Sequence, residues 1–192
     1  KNKIIHEISS ITDDAMNGKI GFHEALKRRI DILKIKRNNI IQANAFIQKK
    51  ISDSFVENKL FLNKNADNCY IVSGGFKEII EPIVCPLGIK KENIYANTFK
   101  IEKDIIINVD QNNPLAHDKG KVEILKKFIN INNKKSIILG DGYTDYELKK
   151  YNEAKYFVQF IENINRKMLN EKADFIASNF NQVIKYIKQQ DE

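Results

Sequence analysis

The chain has 192 residues, of which 42% are hydrophobic and 30% charged, with three prolines and a formal net charge of +7. That composition suits a soluble globular protein with one sizeable core and room for a smaller appended subdomain. No apolar run is long enough to cross a bilayer, and KNKIIHEISS lacks the apolar centre and small-residue cleavage site of a signal peptide, so the expectation is a cytoplasmic protein with no membrane partner. The excess lysines are scattered among Asn and Ile on helix faces, which reads as solvated surface and not as a nucleic-acid footprint. Cys69 and Cys85 show no CxxC or Cys/His spacing and read as small core hydrophobes. The chain opens Lys-Asn-Lys without an initiator Met, the expectation for a processed, trimmed or partial sequence.

Helical spacing comes first. Ile4, Ile5, Ile8 and Ile11 recur on one face, GKIGF interrupts, and Ala25, Leu26, Ile30 and Leu33 resume the pattern on a second amphipathic helix. A third helix is predicted from about Asn38 to Lys50, and SDSFVENKLFLNKN reads as a helix with a Ser or Asp cap. Short apolar runs then follow: CYIV at 69–72, SIIL at 136–139, YFVQF at 156–160 and FIA at 175–177, each ahead of a helix-like stretch. Strands alternating with helices predict an α/β, Rossmann-like parallel sheet. NIYANTFKIEKDIIINVD alternates like a β-ribbon excursion, and no internal repeat or low-complexity linker interrupts the chain. The expected division is an all-helical cap over residues 1–52 and a Rossmann-like core over 53–192.

Ligands of an open parallel sheet gather beyond the carboxyl ends of its strands. Three stretches fall at that edge. VSGGF, residues 72–76, offers a hydroxyl and two glycines that let backbone approach an anion; it suits a phosphate, or an ordinary tight turn with Ser73 as helix N-cap. HDKGKVEIL, residues 117–125, puts Lys119 and Lys121 at a helix start, where the macrodipole disfavours a cation unless an anion is near. IILGDGYTDYE, residues 137–147, ends a strand at Asp141, turns on Gly142 and adds Asp145; these acids can cap a helix or form a hard-oxygen site for Mg2+. Together the three stretches describe a Mg2+-assisted phosphoryl-transfer site.

SGGF, DKGK and GDGYTD, in that order and preceded by ITDDAMNGKIGFHEALKRRIDIL, resemble the haloacid-dehalogenase superfamily and, within it, the phosphoserine phosphatases. The pairing of AMNGKIGF with LKRRI is similar to that branch in particular. The resemblance implies a phosphatase that hydrolyses phosphoserine through an aspartyl-phosphate intermediate with Mg2+ as cofactor. It implies that Ser73 and the Gly74 amide hold phosphate oxygens, that Lys119 pairs with the phosphate, that Asp141 binds the metal, and that Asp145 orients Lys119 and the metal's water shell. It also implies that Arg29 takes the substrate carboxylate and that Met16 and Phe22 close the pocket. For Met16 and Phe22 plain cap packing is the alternative; for Arg29 it is membership of the solvated run Lys27, Arg28, Arg29. NIYANTF and GFKEIIEPIV are similar to a bacterial subgroup fused to phosphoglycerate dehydrogenase, so the expected partners are a small phosphomonoester and either a second copy or a dehydrogenase domain.

The family's nucleophile lies in a DxDxT motif on the first core strand, and this chain has none. Thr12-Asp13-Asp14 has the wrong order and sits inside a helix pattern. A sheet lacking its central strand would hold the neighbours two spacings, about 10 Å, apart. It would orphan several polar groups at about 1 to 3 kcal/mol each, against a total stability of about 5 to 15 kcal/mol. The expectation is therefore that the strand belongs to the parent protein, upstream of Lys1, and that the strands bearing Val72 and Leu139 do not pair directly. This chain alone is then expected to be inactive. The alternatives are a regulatory domain that has lost its nucleophile, and a phosphatase for another small phosphomonoester.

Overall fold

The computed structural model describes residues 2–129 and 135–190. Three helices lead: α1 (Asn2–Met16), α2 (Phe22–Leu33) and α3 (Arg37–Ile47). α1 and α2 pair through Ile11, Ala15 and Ala25, with Ile20 and Ile32 against them, as the predicted apolar stripes require. α3 runs shorter than its pattern, its last turn tightening into a 3-10 turn at Gln48–Lys50. Two short helices follow, α4 (Asp53–Glu57) and α5 (Lys59–Lys64).

The core alternates strand and helix: β1 (Ile71–Phe76), α6 (Lys77–Val84), β2 (Ile94–Asn97), then α7 (Gly120–Phe128), β5 (Ile137–Gly140), α8 (Tyr143–Lys150), β6 (Tyr156–Phe160), β7 (Phe175–Ala177) and α9 (Phe180–Gln190). Between β2 and α7 the ribbon β3 (Phe99–Glu102) and β4 (Ile105–Val109) pairs antiparallel, as its alternation predicts. β1 pairs parallel with β2, with Ile71 opposite Ile94. β5, β6 and β7 form a second parallel set, with Leu139 opposite Val158. One expectation fails: YFVQF is followed not by an α-helix but by a 3-10 segment, Lys167–Lys172.

The two parallel sets share one layer. Ile71, Ile137 and Leu139 face a common core with Ile94, Val158, Ala177 and Val183. Val72 and Ile138, one step along each strand, face the opposite core with Val122, Leu125 and Leu148. That is the alternation a single twisted sheet demands. Among the described residues, however, no backbone pairing joins β1 to β5. Both strands are only half-buried along their whole length despite helices on each face, whereas Phe157 and Val158 of β6 are fully buried. The sheet has a slot at its middle.

Candidate active site

Each of the three stretches is shaped by the element that carries it. β1 pairs regularly with β2 as far as Ser73 and again at Phe76, so Gly74 and Gly75 form a bulge between them. A Cβ on Gly74 would overlap the Phe22 ring, which lies directly on the bulge. Ser73 is not the cap of α6, contrary to the turn reading; that position is Phe76, and Ser73 Oγ instead accepts the Gly75 N–H at 3.0 Å. Asn97, at the end of β2 and fully buried, donates through Nδ2 to the carbonyls of Gly74 at 3.1 Å and Leu115 at 2.9 Å. That one amide ties the bulge to the loop leading into α7.

The second stretch brings both of its lysines to the same cleft, but only one of them to Asp145. Lys119 occupies the N-cap of α7 with a left-handed backbone, φ 59°, a conformation that costs a non-glycine residue about 1 kcal/mol or more. Its ammonium lies over the Tyr151 ring, 5.0 Å from the centroid. Lys121, not Lys119, meets Asp145: its Nζ is 2.5 Å from Asp145 Oδ1, and the two side chains are only 16% and 14% exposed. The reason is helix phase. Gly120 is pressed against the Pro114 carbonyl, where a Cβ would collide, and the next residue turns toward the third loop.

In the third stretch Asp145 caps the helix, one of the readings its spacing allows, and holds Lys121 where the expected partner is Lys119. Its Oδ2 accepts the Gly142 N–H at 3.1 Å across the start of α8, while Oδ1 holds Lys121. Asp141 stands at the end of β5 with 44% of its side chain exposed. Burial pushes its carboxyl up, and the charge of Asp145 adds to that, while Arg166 and Lys121 pull it back. Arg166, buried in the loop after β6, places Nε 3.6 Å from Asp141 Oδ2 and donates from Nη1 to Asp13 of α1 at 3.2 Å. Sequence reasoning missed Arg166 and Asn97, because nothing near them in the chain marks the contact, and passed over Thr144 inside GDGYTD in favour of the two acids that flank it.

The loops meet at one cleft, lined by Phe22, Gly74, Lys119, Lys121, Thr144 and Glu147 among others. Its free space is about 20 Å³, room for about one water. α1 and α2 cover it. The Met16 sulfur lies 2.7 Å from where a Cβ of Gly142 would stand, and Gly18 faces the Tyr143 ring at 3.1 Å by the same measure. Arg29 is half-buried, unlike its exposed neighbours Lys27 and Arg28. It faces α1, with Nε 3.2 Å from the Ala25 carbonyl and Nη1 3.4 Å from Thr12 Oγ1. Burial holds its guanidinium below its ordinary value. The donor set suits Mg2+ in part: Asp141 supplies a hard carboxylate oxygen beside a second carboxylate whose repulsion a cation relieves. No group of three or more His, Cys, Asp or Glu residues able to hold a metal occurs among the described residues, so other ligands would come from backbone, water or outside the chain.

A parallel α/β core whose strand ends gather a glycine bulge, a lysine–aspartate pair and a second aspartate under a helical cover is the arrangement of a haloacid-dehalogenase-type fold. Comparison with known proteins narrows the class. The phosphoserine phosphatase of Drosophila melanogaster is 32% identical over 186 residues, covering 93% of this chain and 66% of its own length. The chloroplastic phosphoserine phosphatase of Arabidopsis thaliana is 27% identical, covering 92% and 61%. This chain thus spans less than two thirds of either relative. Among solved structures, a phosphoserine phosphohydrolase-like protein from Francisella tularensis superposes with a TM-score of 0.87 at 27% identity, covering 97% of this chain and 87% of that one. No family model matches the chain. Over nearly its whole length the chain is similar to phosphoserine phosphatases, and its fold is that of the haloacid-dehalogenase type.

Proposed function

We propose that this chain is the greater part of a Mg2+-dependent phosphomonoesterase whose substrate is phosphoserine. The observation that carries the proposal is the half-buried Lys121–Asp145 pair, whose lysine lines the same cleft as the Gly74 bulge and Thr144. A half-buried ammonium lining the same cleft as a backbone bulge is suited to a phosphate dianion, because such interactions are strongest where water is excluded. Ser73 and the Gly74 amide would hold two phosphoryl oxygens. Lys121 would neutralise a third, and Asp145 would fix its ammonium. Asp141 would hold Mg2+, which when bound would neutralise further charge on the phosphoryl group.

The nucleophile is assigned to a strand outside this chain that fills the slot between β1 and β5. An aspartate at that strand's end would attack phosphorus in line and break the ester P–O bond; the second carboxyl of the same DxDxT motif would give its proton to the departing serine oxygen and then take one from the water that hydrolyses the aspartyl phosphate. The helical segment, residues 1–52, would act as the cap over the core, with Phe22 and Met16 keeping water from the cleft. Arg29 uses two of its five donors in the closed arrangement, both at 3.2 Å or longer, leaving the guanidinium free to exchange them for a carboxylate.

Phosphate release by the complete protein tests this reading. Phosphoserine should be turned over, and Arg29→Ala should raise its KM about tenfold or more while leaving phosphoethanolamine, which lacks the carboxylate, nearly unaffected. An unchanged KM for phosphoserine would remove Arg29 as the carboxylate anchor and phosphoserine as the favoured substrate.

A further inference from the structure

The first turn of α2 has no side-chain cap of its own, because Gly21 occupies the N-cap position. Such a turn leaves its leading N–H groups without helical partners. One of them is met from across the cleft: Asp118 Oδ1 accepts the His23 N–H at 3.0 Å. Gly21 lies against the same carboxylate, where a Cβ would stand 2.7 Å from Oδ2. His23 adds a second tie, its Nδ1 2.8 Å from the Ala116 carbonyl, and its ring stacks on His117 with centroids 5.2 Å apart. Residues 116–118 of the core thus grip residues 21–23 of the cover. Phe22, in the middle of the gripped segment, is the ring that lies on the Gly74 bulge.

From this geometry we infer that Asp118 is a positioning residue: it caps α2 from the opposite side of the cleft and so sets Phe22 over the phosphate cradle. Its catalytic consequence rests on the phosphatase reading above; the docking itself does not. The Phe22 ring stands where a Cβ of Gly74 would be, so a phosphate that reaches the Gly74 bulge displaces it. The contact that closes the site must therefore break and re-form in every cycle. Apolar contacts such as Met16 on Gly142 favour closure but fix no register, being non-directional. A single carboxylate on a helix N-terminus does fix one: the acceptor is directional, and its charge complements the helix dipole. Because Asp118 is solvent-exposed, the bond can open to water at small cost. It stands three residues before Lys121, so the loop that closes the cover also carries the phosphate-binding ammonium into its helix.

Loss of the latch lowers the closed population before substrate arrives, which weakens apparent affinity, whereas saturating substrate still drives closure. Hydrogen exchange at the His23 amide and steady-state kinetics on phosphoserine, both in the complete protein, test this. Asp118→Ala removes no buried group and should melt within about 4 °C of wild type. It should speed exchange at the His23 amide about tenfold or more, and raise KM about tenfold with kcat within about threefold. Asp118→Asn, which keeps an oxygen at Oδ1, should hold both values within about threefold of wild type. A merely destabilised variant would instead lose kcat at constant KM. Unchanged exchange at His23 in Asp118→Ala overturns the latch, and fast exchange with unchanged KM overturns its positioning role. Should the wild-type protein release no phosphate from phosphoserine, the activity reading falls, and the exchange result alone decides whether the latch exists.

Discussion

Lys119 and Lys121 flank one glycine, and from the sequence either could be the ammonium of the site. Which of them meets Asp145 is set by contacts the local sequence does not encode: the Pro114 carbonyl lies against Gly120, Lys121 reaches Asp145, and Lys119 lies on Tyr151. Asp118 and Arg166 were hidden for the same reason: their partners lie 95 and 153 residues away along the chain. Asp141 and Asp145 were legible as neighbours at a strand end, because their spacing around Gly142 puts them at the turn between β5 and α8. Gly140 gives a residue-scale prediction. A Cβ there would collide with the Asp145 carboxylate, so Gly140→Ala should displace Asp145 from Lys121 and lower kcat about a hundredfold, with the fold retained by circular dichroism. Glu147 gives another. Burial raises its carboxyl above the ordinary 4.5, although Lys150 and Lys119 oppose the shift. A carboxyl whose folded value is raised binds its proton more tightly folded than unfolded, so its stabilising effect is present at low pH and lost as pH rises through the folded value. Glu147→Gln should therefore melt higher than wild type at pH 7, and the difference should vanish below about pH 4.5 in thermal scans.

The strands were the most legible elements, because runs such as YFVQF meet no helical period and are flanked by turn residues; β6 spans the same five residues, Tyr156–Phe160. The bulge in β1 was not legible. Its two glycines read equally well as a turn, and only the pairing with β2 shows the strand resuming at Phe76. Asn97 holds that bulge in place by bonding two carbonyls from different loops. Removing the amide strands both acceptors in a buried setting, at about 1 to 3 kcal/mol for each unsatisfied group. Asn97→Ala should accordingly lose about 2 to 4 kcal/mol in urea denaturation with an unchanged m-value, and a loss under about 0.5 kcal/mol would show that water replaces the side chain.

At the scale of the molecule, two parallel sets of strands are held in one layer by cores on both faces, yet their facing edges, β1 and β5, share no backbone bond among the described residues. The sequence made this arrangement legible through a motif that is missing and the physics of a sheet that needs its centre. A strand in the slot would pair both edges at once, so protein including it should unfold several kcal/mol later than residues 1–192 alone, which should release no phosphate. No helix among the described residues is long and apolar enough to cross a membrane. The most direct measurement is phosphate release from phosphoserine by the complete protein, with Lys121→Ala and Lys119→Ala assayed side by side. Lys121→Ala should lose about a hundredfold or more in kcat, and Lys119→Ala should stay within about threefold of wild type. The reverse order, or equal activity in both variants, would contradict a phosphoryl site built on the Lys121–Asp145 pair.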